Sequence, residues 1–236
     1  MGLVRTPTGT LLAPDGETGG REGGVRAGFR EIKARPPLMA YVVVQAMAQL
    51  AFAMFPILFI VFVVEELHGG GSQIGIIRGM AAFGGIVAAL IVPRWARKRA
   101  APWLMTWGYL GLAVSAALFI NAPAVTTALG LYLVLFALTG LPNATSQIGS
   151  FTTAQQLCPP HLLGRLNGIL SATGAVGAAI GSIGTGLLVD HVAVIPLFNG
   201  QAAGFFLCGI VSYFTIVRRL PQGVADEFSA SRSSTA

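Results

Sequence analysis

Five polar side chains within largely apolar runs are the candidate site residues: Gln45, Gln49, Arg78, Asn143 and Gln147. Arg78 is the most demanding of them. Its guanidinium is permanently charged and carries five N–H donors. Holding such a group at the centre of a lipid bilayer costs at least about 3 kcal/mol, so an intramembrane arginine is read first as functional. Three roles are open to it: pairing with Glu65 or Glu66, meeting an anionic group of a substrate, or reaching along its own stem to the headgroups. Gln45 and Gln49 are one helical turn apart and share a face, as do Asn143 and Gln147. These two carboxamide pairs form two polar walls of a central cavity, or they bond helix to helix for about 0.6 kcal/mol on average. The Asn143-Ala144-Thr145 sequon falls within a span and is read as meaningless for glycosylation.

The residue types needed for covalent chemistry do not converge. No Ser-His-carboxylate or His-Glu spacing suggests a hydrolase or a metal site. Cys158 and Cys208 lack metal-ligand spacing and read as small apolar filler. The sequence therefore predicts no enzyme, no cofactor and no metal. It also places no carboxylate within a span, so no proton relay is expected among these residues alone.

The elements that position the five side chains are set by composition. Of 236 residues, 54% are hydrophobic and 10% charged, whereas soluble domains carry about 25% charged residues. Mean hydropathy is +0.72. A hydrocarbon core of about 30 Å needs roughly 20 apolar residues per helix, and six runs qualify: 38–64, 74–92, 103–120, 125–156, 166–189 and 197–217. Beyond Leu141 the fourth run turns polar, through Asn143, Thr145, Ser146 and Gln147; that stretch must face protein or water, not lipid. The net charge of +6 resides at the ends of these runs and not on one folded face, which sets nucleic acid aside and points to lipid headgroups.

The sign of charge alternates from one connection to the next. Arg21, Arg26, Arg30, Lys33 and Arg35 precede the first run; Arg94, Arg97, Lys98 and Arg99 follow the second; Arg165 opens the fifth; Arg218 and Arg219 close the sixth. The intervening connections hold Glu65, Glu66 and His68, then Asn121, then Asp190 and His191. Short loops rich in Lys and Arg stay in the cytoplasm. The expected topology is thus six crossings of the inner (plasma) membrane with both termini cytoplasmic. Residues 1–20 lack the apolar core of a signal peptide and read as a flexible segment. Residues 21–37 read as an amphipathic linker, with Val25, Phe29 and Ile32 on one face, lying along the membrane surface or solvated. Residues 38–217 form the transmembrane domain and 218–236 a disordered tail.

The second and fifth runs open alike. Gly75-Ile76-Ile77-Arg78-Gly79 leads to Gly84, and Gly164-Arg165-Leu166-Asn167-Gly168 leads to Gly174. Each is the middle crossing of a three-helix unit, and the units run in opposite senses, a plan used by secondary transporters. Gly75 with Gly79, and Gly177 with Gly181, are small-xxx-small pairs that let helix backbones approach closely. The fold class that results is all-α: a six-transmembrane-helix bundle of two inverted three-helix repeats.

The junction Gln156-Leu-Cys-Pro-Pro-His-Leu-Leu-Gly-Arg165-Leu-Asn-Gly168 resembles a recurring junction of the major facilitator superfamily, where proline ends one helix and a Gly-Arg pair launches the next. The resemblance is closest to bacterial exporters of the enterobactin-exporter and macrolide-efflux kind. Leu163 stands where that pattern usually carries a basic residue. Pro93-Arg-Trp-Ala-Arg-Lys-Arg99 occupies the place of the family's basic loop but lacks its Asp and its Gly-Arg pair. The resemblance runs from about Arg21 to Pro221 and covers the C-terminal six-helix half of a twelve-span protein. It implies efflux of drugs or other amphipathic small molecules by alternating access, with the helices bearing Gln45, Gln49, Asn143 and Gln147 lining the path. It also implies, as partner, an N-terminal half or a second copy, without which the chain is not expected to pump. The alternative is a six-span scaffold or assembly protein without transport activity.

The charge alternation makes a direct prediction. A cysteine placed at His191 should react with a membrane-impermeant maleimide in intact cells, and one at Arg165 only after permeabilisation. The reverse pattern would contradict the topology.

Overall fold

The computed structural model describes residues 30, 32, 34–96, 99–124 and 128–219. Six long helices carry the chain: α1 (Pro36–Glu65), α2 (Gly71–Ala96), α3 (Ala101–Asn121), α4 (Leu129–Leu157), α5 (Leu163–Val189) and α6 (Val194–Thr215). Each is long and apolar enough to cross a bilayer. Even the shortest, α3 with 21 residues, reaches about 30 Å at 1.5 Å per residue. Residues 1–20, most of 21–37 and the tail beyond Arg219 lie outside the described residues.

Local chemistry explains where the helices begin and end. Proline opens α1 and α3, where its missing N–H is no loss and its fixed φ suits the first turn. Cys158 closes α4 in an extended conformation, as expected of a residue before proline. Between α1 and α2, His68 adopts a left-handed φ of 50°, and the Gly70 N–H donates to Gln73 Oε1 at 2.9 Å, which closes a tight reversal. The helices overrun the apolar runs by a few residues at several ends, and α4 starts at Leu129.

Helix packing has an internal symmetry. α3 packs on α4 and α6, α4 packs on α2, and α1 packs on α5 and α6. Exchanging α1, α2 and α3 for α4, α5 and α6 maps this pattern onto itself: α1 with α5 becomes α4 with α2, and α1 with α6 becomes α4 with α3. Two three-helix repeats therefore build the bundle, with the α3–α6 contact on the symmetry axis.

Two apolar clusters fill it. One lies toward the end that carries Arg35, Arg94 and Arg165 (the basic end) and joins Leu38, Tyr41, Met105, Tyr109, Leu162, Leu166 and Ile216. Ile32, from the segment before α1, is fully buried in that cluster. The other lies toward the end that carries Glu65 and Asp190 (the acidic end) and joins Phe59, Phe62, Ile77, Phe119, Tyr132, Phe136 and Phe198. Ile86, Leu90, Leu118, Ile180 and Leu187 are exposed, as hydrocarbon-facing side chains should be.

Close approach decides which helices touch. A Cβ on Gly108 would overlap the Ser146 backbone and one on Gly149 the Met105 backbone, so α3 and α4 meet almost backbone to backbone. A Cβ on Gly181 would lie 2.8 Å from the Leu50 carbonyl oxygen on α1, whereas Gly75 and Gly79 have nothing within 4 Å. The two small-xxx-small pairs thus share a spacing and differ in environment. Gly181→Leu should lower the thermal midpoint of the purified chain through overpacking of about 1–3 kcal/mol, while Gly79→Leu should leave it unchanged. Equal midpoints for the two variants would contradict the packing.

Candidate functional site: a phenylalanine-lined cavity between α1 and α4

The repeat-related helices α1 and α4 have few direct contacts, and the space between them is a cavity of about 350 Å³. That is within the range of about 300–1,000 Å³ usual for small-molecule sites. α1 contributes Phe52 and Phe55; α4 contributes Phe136, Thr139, Gly140 and Asn143. Its floor comes from Leu112, Ser115 and Phe119 of α3 and from Phe198, Gln201 and Phe205 of α6; α2 supplies Arg78, Ala81 and Gly85.

The aromatic wall is built of two sets of packed rings, one around Phe55 and Phe136 and one at Phe52 and Phe205. Phe55 stacks on Phe59 at 5.4 Å and on Phe136 at 5.8 Å, Phe119 meets Phe136 at 5.4 Å, and Phe52 meets Phe205 edge-on at 4.8 Å. Offset and edge-to-face pairs of this kind add about 0.5–1.5 kcal/mol each beyond burial. The wall is therefore held in place by its own packing.

Arg78 sits seven residues beyond the start of α2, about 10 Å along the axis. Its guanidinium lies 5.6 Å from the ring centroid of Phe59, a fully buried residue. No ion pair to Glu65 or Glu66 forms among the described residues. The cation is exposed and lies over an aromatic face beside the cavity, attracted by the ring quadrupole, with no carboxylate paired to it among the described residues.

Asn143 opens into the same cavity from α4, one residue beyond Pro142. Gln147, one turn further along α4, is exposed and lies outside the cavity lining. Gln49 is exposed beside Gly174 of α5. Gln45 is engaged elsewhere: it accepts a hydrogen bond from the Tyr109 hydroxyl at 2.5 Å. Tyr109 also lies 3.3 Å from Ser150 Oγ, and Tyr41 donates to the Ser150 carbonyl at 3.1 Å. That chain of bonds ties α1, α3 and α4 together toward the basic end. Of the five residues singled out by sequence, the structure brings Arg78 and Asn143 into one cavity and leaves the three glutamines outside it.

Gln201 was not among them. It is buried, 3% exposed, and lines the cavity from α6. Its Nε2 donates to the Ala51 carbonyl at 2.8 Å, but its Oε1 has no partner among the described residues. A buried acceptor left unpaired costs about 1–3 kcal/mol, so this oxygen is a feature of the site to be explained. The same signal that marked Gln45, a carboxamide within an apolar run, was available at Gln201.

Comparison with known proteins adds the family. Residues 41–235 match the sequence profile of the Major Facilitator Superfamily. The chain is also similar to "Multidrug resistance protein MdtG" of Salmonella paratyphi A, with 36% identity over 90 residues, which is 36% of this chain and 21% of that protein. The protein of the same name from Salmonella newport is 38% identical over 90 residues, with the same shares covered. These alignments thus span about a fifth of the curated relatives' length. With the family profile matching most of the chain, this multi-pass membrane protein belongs to the Major Facilitator Superfamily.

Proposed function

We propose that the chain is one six-helix half of a secondary exporter of drugs or other amphipathic small molecules. The observation that carries this reading is the cavity between the repeat-related helices α1 and α4, apolar on most of its wall and polar at Arg78, Asn143 and Gln201. An amphipathic cargo needs that mixture: ring surfaces for its body and a few placed polar groups for orientation. Family membership and the name of the MdtG relatives support export of drugs. Arg78 and Asn143 contact cargo in the cavity, and Gln45, Gln49 and Gln147 border the path from the side of α1 and α4.

Mechanistically, the half rocks against a partner half, an N-terminal six-helix unit or a second copy of this chain, so that the cavity faces each side of the membrane in turn. The exposed small-residue faces of α2 and α5 support such a pairing, since Gly75, Gly79, Gly164 and Gly168 have open space where a Cβ would sit. The basic end lies in the cytoplasm of the inner membrane, with both termini on that side. A proton-coupled cycle draws its titrating acid from the partner, because the six apolar runs hold no carboxylate and Glu65 stands only at the end of α1.

Proteoliposomes test the proposal. The chain alone should give no pH-gradient-driven efflux of a fluorescent amphipath, and the chain co-assembled with an N-terminal half from a relative should give it. Asn143→Leu should then reduce the rate about tenfold at unchanged protein density. A co-assembled pair that moves no amphipath would overturn the exporter reading, and efflux by the chain alone would overturn the need for a partner.

A further inference from the structure

We infer that the cavity selects amphipathic anions, and among them those whose apolar body carries a hydroxyl or N–H donor. The inference rests on the exporter reading for its premise that cargo occupies this cavity, and it names the class of that cargo. Three observations support it independently.

The first is charge. Arg78 is the charged residue of the cavity lining, and no carboxylate accompanies it there. Its guanidinium lies over Phe59 without an ion pair. Arg78 is exposed yet lines the cavity, and a cation without an ion pair among the described residues favours an anion entering beside it and disfavours a second cation. The fork of donors suits a planar carboxylate or a sulfonate in two-point contact. A cavity built for cationic drugs would be expected to carry the opposite sign.

The second is shape and surface. Phe52, Phe55, Phe136, Phe198 and Phe205 surround the volume, so a flat ring system finds edge and face contacts on several sides. A body of two fused rings fits a space of about 350 Å³.

The third is the orphan acceptor. Gln201 is buried, its amide nitrogen is committed to the Ala51 carbonyl, and its Oε1 is unpartnered. An oxygen that is acceptor only is satisfied by a donor on the bound molecule. Since the nitrogen already serves α1, the amide is held with its oxygen as the free end. A ligand with an anionic head and a hydroxyl on its body therefore meets both unmet groups of the site, the guanidinium and the carbonyl oxygen.

An isosteric probe set separates these terms: 6-hydroxy-2-naphthoate, 2-naphthoate, and the (6-hydroxynaphthalen-2-yl)methylammonium cation. Binding is measured by titration calorimetry to the full chain in lipid nanodiscs, with empty nanodiscs subtracted. Thr139→Trp, which fills the cavity, reports whether binding occurs there. The expected result is that the hydroxynaphthoate binds at least tenfold more tightly than the cation. Arg78→Gln should abolish that preference and Arg78→Lys should restore part of it. Gln201→Leu should bring the hydroxynaphthoate down to the affinity of 2-naphthoate. Equal binding of anion and cation, lost in Thr139→Trp, would overturn the anion selectivity and leave the exporter reading in place. Anion preference that survives Gln201→Leu with the hydroxyl still favoured would overturn the role of the orphan oxygen. Absence of cavity binding by any probe would overturn both the inference and the reading beneath it.

Discussion

Within hydrocarbon, burying a leucine against another helix gains little over burying it in lipid, so something else must hold six helices together. Here it is backbone proximity at small residues. α3 and α4 meet at Gly108 against Ser146 and at Gly149 against Met105; α2 and α4 meet at Gly84 against Ala137 and at Gly140; α1 and α5 meet at Gly181 against Leu50. Dispersion between closely approaching backbones replaces the hydrophobic effect as the source of cohesion. Helices satisfy their peptide groups internally, apart from sites such as Pro56, Pro93 and Pro142 that withhold a donor, so close approach need not cost backbone hydrogen bonds.

The cavity follows from where those contacts lie. Each repeat draws its first helix toward helices of the other repeat: α1 toward α5 and α6, and α4 toward α2 and α3. α1 and α4 meet each other only at a few side chains, such as Tyr41 with the Ser150 carbonyl and Phe55 with Phe136. The gap between them is lined by what the surrounding helices present, and at the acidic end that is mostly phenylalanine. Toward the basic end, the hydrogen bonds of Tyr41, Tyr109, Ser150 and Gln45 and the buried contact of Thr106 with Ser212 at 2.9 Å bind the helices by satisfied polar groups. Thr153 Oγ1 and Thr185 Oγ1 are buried without a hydrogen-bond partner among the described residues, as is the Gln201 oxygen, but only Gln201 of these three lines the cavity. An unmet buried acceptor at an apolar cavity is poised to bind, since a ligand that satisfies it recovers a cost the folded protein already bears.

Much of the architecture was legible in the residues, because lipid imposes strong rules on composition. Apolar runs of hydrocarbon length, proline at helix starts and the paired glycine openings of the second and fifth runs led to six helices in two related units. The polar continuation at Asn143 was readable for the same reason: a carboxamide in a span is too costly to be incidental. Other features were not. Gly75 with Gly79 and Gly177 with Gly181 have one spacing, yet only the second pair presses on a neighbour; spacing states that close approach is possible, and only the three-dimensional order of helices states where. Gln45 looked equivalent to Asn143 and is instead bonded to Tyr109, a partner 64 positions away. The phenylalanines of the cavity wall are indistinguishable in sequence from lipid-facing filler such as Phe83 or Phe151, both exposed. Gln201 carries the same signal, a carboxamide within the sixth apolar run, but it shares that run with Asn199, which pairs with Asn121 instead.

The central claim is that phenylalanines and a few polar groups on α2, α4 and α6 enclose a space that admits water and cargo, not a packed or lipid-filled seam. Cysteine accessibility along α4 tests it most directly. With the chain in a membrane, cysteines at Thr139 and Asn143 should react with a water-borne methanethiosulfonate reagent and be protected by a bound amphipath, while one at Leu138, exposed and absent from the cavity lining, should remain unmodified. Equal reactivity at all three positions, or none at Thr139 and Asn143, would contradict the account.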